Sequence, residues 1–165
     1  MNMRTEITFL FLFLFFVIGC LREETFDIDN EADIAFMEEY AQRPDVTITA
    51  SGLMYRIIQE GDGNSPVINS RVKVHYTAKM VSGDVIGNSY INDTPLEFTI
   101  NDPANPPIAG FAEGLLLMEE GALFELVIPS ELAYGNMPPP NSVIYPGATI
   151  IMEVELLEIL SENEE

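Results

Sequence analysis

From Ile150 to Leu156 apolar side chains take every second position, Ile150, Met152, Val154 and Leu156, while Glu153 and Glu155 point the other way. Successive side chains of an extended chain face opposite sides, so this spacing dictates a strand with one face on a core and the other toward water. The stretch from Val72 to Met80 repeats the pattern. Val72, Val74, Tyr76, Ala78 and Met80 share one face, and Lys73, His75, Thr77 and Lys79 share the other. His75 is the chain's single histidine. Its place on the polar face makes it a surface residue rather than a general base.

The same reading organises the rest of the chain. Leu53, Tyr55 and Ile57 alternate up to a turn at Glu60-Gly61-Asp62-Gly63, and Ser82-Gly83-Asp84 marks a second turn. Short strands are expected near Val85 and Ile86 and again at Leu96, Phe98 and Ile100, followed by a proline-broken loop from Asn101 to Pro107. Ile108 to Met118 reads as a helix, with Phe111, Leu115 and Met118 on one face and Gly121 beyond its end. Leu123 to Ile128 sets Phe124, Leu126 and Ile128 against Leu123, Glu125 and Val127, a strand with one buried face. A half turn at Ser130-Glu131-Leu132 then leads into a long loop carrying Pro138-Pro139-Pro140 and Pro146. Strands with one late helix and no strand-helix repeat imply an α+β fold, a mostly antiparallel sheet wrapped around one short helix. Ahead of it, Ile34, Met37, Tyr40 and Ala41 fall at helical spacing before Arg43-Pro44, which predicts an amphipathic helix over 31–44. An isolated helix of that length is marginal in water, so it is expected to pack on the main domain.

The first residues have a different character. One basic residue, Arg4, precedes an apolar run of 10 residues from Phe9 to Ile18, and Val17-Ile18-Gly19-Cys20 closes it. That run is too short to cross a hydrocarbon core of ~30 Å as a helix, so it reads as a targeting segment. The four closing residues resemble a bacterial lipoprotein signal, which predicts a signal peptide over 1–19, lipidation of Cys20 and a polar tether over 20–30. Cys20 is the only cysteine, so no internal disulfide can form. The net charge of −20 argues against nucleic acid and anionic lipid as partners and leaves membrane attachment to the lipid. The acidic segment Asp27–Asp33 has Ala32 where a calcium loop of the EF-hand type needs glycine, so it is read as solvated charge. Residues 161–165 form an acidic tail.

Three motifs bear on function: Val74-His75-Tyr76-Thr77, Gly110-Phe111-Ala112-Glu113-Gly114, and Glu131-Leu132-Ala133-Tyr134-Gly135 followed by Ala148-Thr149. In this order and spacing the chain resembles the FKBP-type peptidyl-prolyl isomerases over about residues 45–160. The resemblance implies a sheet bent across a short helix with a ligand pocket between them, and isomerisation of Xaa-Pro bonds in proline-containing polypeptide segments. It gives Tyr76 as a pocket wall, Ile108 as the residue whose amide bonds a ligand carbonyl, and Phe111 as the floor where tryptophan is usual. Tyr134 is given as the phenol that reaches a ligand carbonyl, with Val143 and Ile144 in the overhanging loop. Phe98 keeps a family position but is read as core.

Prolyl rotation crosses a barrier of about 18–20 kcal/mol without breaking a bond, so neither metal nor cofactor is called for. A water-poor apolar pocket with a donor to a neighbouring carbonyl suffices, because it favours the twisted, less dipolar amide. The chain departs from the family where Ile86-Gly87-Asn88-Ser89 stands for Phe-Asp-Ser-Ser, where Met152 replaces an aromatic wall, and where Leu96 stands for a frequent phenylalanine. Ile86, Leu96 and Met152 keep the pocket apolar but give up flat rigid surface. A looser grip on the proline ring follows, and macrolide binding of the family's kind is not expected.

Overall fold

The computed structural model describes residues 30–160. The signal segment, Cys20, the tether up to residue 29 and the acidic tail 161–165 lie outside the described residues. Helix α1 (Glu31–Ala41) comes first, followed by strands β1 (Thr47–Ile48), β2 (Met54–Gln59), β3 (Arg71–Met80), β4 (Val85–Asn88) and β5 (Leu96–Thr99). Helix α2 (Ala109–Leu116), strand β6 (Leu123–Ile128), a short 3-10 turn (Ser130–Leu132) and strand β7 (Ile150–Leu160) complete the order. The helix expected over 31–44 therefore ends earlier, ahead of Arg43-Pro44.

All pairings are antiparallel, in the order β1-β2-β6-β7-β3-β4, with β5 also paired to β3. The two strands with the clearest alternation, β3 and β7, lie side by side at the centre with Tyr76 opposite Val154 and Ala78 opposite Met152. Their register puts the alternating apolar positions Val72, Val74, Ala78 and Met80 of β3 and Ile150, Met152, Val154 and Leu156 of β7 on one face. There Val72, Val74, Met80, Phe124, Leu126, Ile128, Ile150, Val154 and Leu156 are buried together with Phe111, Leu115 and Met118 of the α2 region. Helix α2 approaches β6 closely through glycine: a Cβ on Gly110 would collide with Ile128, and one on Gly114 with Leu126.

Two expectations about exposure are overturned by the packing of α1. It lies on the opposite face of the sheet, where Tyr40 forms a second buried cluster with Val127 and Ile151. Strand β6 is thus buried on both faces at its C-terminal end, and Val127 is not the water-facing residue that alternation implied. Asp33 was read as solvated charge, yet it is 3% exposed. Its carboxylate accepts hydrogen bonds from Tyr145 Oη at 2.5 Å and Thr149 N at 2.6 Å. A buried charge persists only when its oxygens are satisfied, and here two donors from the loop before β7 supply the partners.

Candidate active site

Between the concave face of the sheet and α2 lies a cavity of about 410 Å³. Phe111, carried by the first turn of α2, forms its floor. Phe98 and Tyr76 stand around it, with ring centroids 5.4 Å and 6.3 Å from that of Phe111. Tyr134 borders the opening from the segment after the 3-10 turn, and Ile86, Leu96, Ile108 and Met152 complete the apolar wall. Seven of the sequence-derived site residues are therefore brought to one recess: Tyr76, Ile86, Leu96, Ile108, Phe111, Tyr134 and Met152. Val143 and Ile144 are not among the residues that border it. Val143 is 68% exposed on the loop before β7, and Ile144 is half-buried against the main core cluster.

The polar groups at the recess are few and oriented. Ile108 is the N-terminal cap of α2, with extended φ and ψ of −59° and 143°. Its carbonyl accepts from the N–H groups of Phe111 and Ala112. Its own N–H has no partner among the described residues, as expected for an orphan donor at a helix start. The hydroxyls of Tyr76 and Tyr134 likewise make no hydrogen bond among the described residues. Burial pushes the Tyr134 hydroxyl above the ordinary phenol range, and the neighbouring Tyr76 adds to the shift. Both causes keep the donor proton in place at neutral pH.

Tyr76 is held firmly by its backbone. The Ser89 hydroxyl accepts from Tyr76 N at 2.8 Å and donates to Tyr76 O at 3.2 Å, while Ser89 N donates to the same carbonyl at 3.0 Å. Ser89 Oγ also shares a hydrogen bond of 2.8 Å with His75 Nδ1. His75 is 8% exposed, contrary to the surface position read from the alternation. Tyr90 stacks on its ring at 4.4 Å and covers it, with the Tyr90 hydroxyl donating to Glu155. His75 is still not among the residues that border the recess.

Several lining residues were missed or undervalued by sequence reasoning. Phe98, read as core, borders the recess, and its shared parity with Leu96 on β5 was the available signal. Asn105, Pro106 and Pro107 line the recess from a loop with no periodicity to read.

Residues 63–157 match the family model for the FKBP-type peptidyl-prolyl cis-trans isomerases. The chain belongs to that family. Among relatives, the FKBP-type 22 kDa peptidyl-prolyl cis-trans isomerase of Escherichia coli is 41% identical over 140 residues, covering 85% of this chain and 66% of that protein. The peptidyl-prolyl cis-trans isomerase Mip of Coxiella burnetii is 35% identical over 129 residues, or 78% of this chain and 54% of Mip. The FKBP chain described here thus spans about half to two thirds of the length of these relatives. In three dimensions it resembles FkpA from Escherichia coli with a TM-score of 0.73 and 34% identity, over 80% of this chain and 60% of FkpA. A peptidyl-prolyl cis-trans isomerase from Pseudomonas syringae gives a TM-score of 0.70 at 29% identity, over 79% of this chain and 92% of that one. The FKBP match begins after α1, so the helix that clasps the loop before β7 lies outside the matched residues.

Proposed function

We propose that this domain isomerises Xaa-Pro peptide bonds of exported polypeptides. One observation carries the reading: an aromatic floor and unpartnered donors meet in a single apolar recess. The proline ring sits on Phe111 between Tyr76, Phe98 and Met152, where little water remains to solvate the dipolar planar amide. The Tyr134 hydroxyl and the Ile108 N–H donate to backbone carbonyls of the segment and hold it while the amide twists. Each 1.36 kcal/mol by which the twisted form is favoured over the planar one is a factor of ten in rate. Relatives that carry the name peptidyl-prolyl cis-trans isomerase support the assignment. Exchange NMR on a short Xaa-Pro peptide tests it: the protein at micromolar concentration accelerates cis-trans exchange, and Tyr134→Phe lowers the rate about tenfold. Unaccelerated exchange with the wild-type protein would remove the catalytic reading.

A second reading, a non-catalytic module that captures proline-containing segments, is favoured by Ile86 and Gly87, which remove an aromatic wall and a carboxylate from the family pattern. Binding of the peptide without exchange is its signature.

The sequence at the N-terminus supports export followed by acylation of Cys20, which places the domain on a lipid tether in the cell envelope. Leu21, not aspartate, follows Cys20, and this favours the outer membrane. Several acyl chains hold stably where one holds marginally, at ~0.8 kcal/mol per buried methylene. Detergent fractionation of Cys20→Ala checks the tether: the variant leaves the membrane fraction, and its retention there would count against acylation as the anchor.

A further inference from the structure

Gly87 reads in the sequence as a loss, the place where a carboxylate is missing. In the structure that absence is occupied by Tyr76. A Cβ on Gly87 would lie 2.9 Å from Tyr76 Cε2 and 3.1 Å from its hydroxyl oxygen, so the phenol rests against the bare backbone of β4 in a position that glycine permits. No side chain of β4 accepts the phenol's proton, and the hydroxyl has no partner elsewhere among the described residues. It is not sealed off either. The only buried side-chain polar atom without a partner among those residues is Asn30 Oδ1, so the Tyr76 oxygen remains accessible.

Three further observations fix what an accessible, unpartnered phenol can do there. Tyr76 borders the same recess as Tyr134, and the effect of Tyr76 on the Tyr134 hydroxyl marks the two as neighbours. The Tyr76 backbone is clamped at both its N–H and its carbonyl by Ser89, and its ring is tilted against Phe111. A phenol has one donor proton and two acceptor lone pairs, and one held this firmly loses little freedom on binding. We propose that Tyr76 is a second hydrogen-bond donor of the recess, made available by Gly87, so that two phenols grip separate backbone carbonyls of one proline-containing segment. This rests on the reading of the recess as a prolyl-peptide site and assigns Tyr76 a polar role in addition to that of a wall.

Tyr76→Phe keeps the wall and removes only the donor. It is compared with the wild type by exchange NMR on a parent Xaa-Pro peptide and on peptides in which each backbone carbonyl near the proline, other than that of the isomerising Xaa-Pro bond itself, is replaced in turn by methylene. We expect about a tenfold fall in kcat/KM on the parent peptide with an unchanged urea midpoint, and no fall on the peptide that lacks the carbonyl Tyr76 would grip. A wild-type rate for Tyr76→Phe overturns the inference, as does an equal loss on every peptide, which would mark a structural effect. Should the wild type bind the parent peptide without accelerating exchange, the isomerase reading fails alone. Calorimetric titration then decides: about tenfold weaker binding by Tyr76→Phe, confined to peptides that keep the gripped carbonyl, supports the second donor, and equal affinity overturns it. A wild type that neither isomerises nor binds the peptide overturns both.

Discussion

Asp33→Ala should destabilise the domain far more than its position near the end of the described chain suggests. Its buried carboxylate takes two short hydrogen bonds, from the Tyr145 hydroxyl and the Thr149 N–H. Burial first, and then the hydrogen bond and charge of Asp33, hold the Tyr145 hydroxyl protonated well above its ordinary range. Hydrogen bonds to a charged group contribute about 1.5–3 kcal/mol each, and leaving a buried donor unpaired costs about 1–3 kcal/mol. Tyr145 is half-buried and water can replace its lost partner, whereas Thr149 is buried and its N–H cannot be served that way. The expected loss is therefore about 3–5 kcal/mol, a large share of the ~5–15 kcal/mol that holds a domain together. Urea unfolding followed by circular dichroism measures it. With a slope of about 2 kcal/mol per molar, the midpoint falls by roughly 2 M. Tyr145→Phe removes the more replaceable bond and should cost about 1 kcal/mol. A loss below about 1 kcal/mol for Asp33→Ala would refute the reasoning, because it would mean that the carboxylate is not held where these bonds require. The same clasp predicts that a fragment starting at residue 45, the boundary read from the sequence, is much less stable than one starting at Asn30.

Gly110→Ala places a methyl group into Ile128 on β6, whose branched side chain cannot swing away. It should cost about 1–3 kcal/mol by urea unfolding despite alanine's better helix propensity, and a neutral result would show that α2 can shift. Tyr40 and Tyr90 are each pushed up to about 12, by burial first and then by hydrogen bonds to Glu125 and Glu155. Their folded values lie above the unfolded value near 10, so the stability they contribute is full below that pH and is lost as pH rises through about 12. Ultraviolet titration of the folded protein should show these phenols ionising late, and Tyr90→Phe should remove part of the alkaline loss; all phenols ionising together near pH 10 would contradict the packing.

The parts of the fold legible in the sequence are those whose cause is local. Alternation in β3 and β7 follows from the pleat alone, and it placed Tyr76 and Met152 on the concave face before any neighbour was known. Where a second layer covers the sheet, the same rule misleads. Val127 and Ile151 sit on the outer face but are buried by Tyr40, more than eighty residues before them in the chain. His75 lies on the polar face yet is covered by Tyr90. The role of Asp33 is decided by Tyr145 and Thr149, which lie 112 and 116 residues further along. No pattern within α1 could reveal such a bond.

The site divides along the same line. Phe111 and Tyr134 stand in short motifs and Ile108 lies two residues ahead of one, so a resemblance could carry them over one by one, and the structure gathers them around one recess. Val143 and Ile144 follow from the same resemblance, but they sit in a proline-rich loop tied to Asp33 of α1 through Tyr145 and Thr149, and they are not among the residues that border the recess. Gly87 shows the limit most sharply. A position-by-position comparison sees only the side chain that is gone, whereas the effect of its absence falls on Tyr76, across the β3–β4 pairing. The substitution does not simply subtract from the recess, because the space it opens is where the Tyr76 phenol lies.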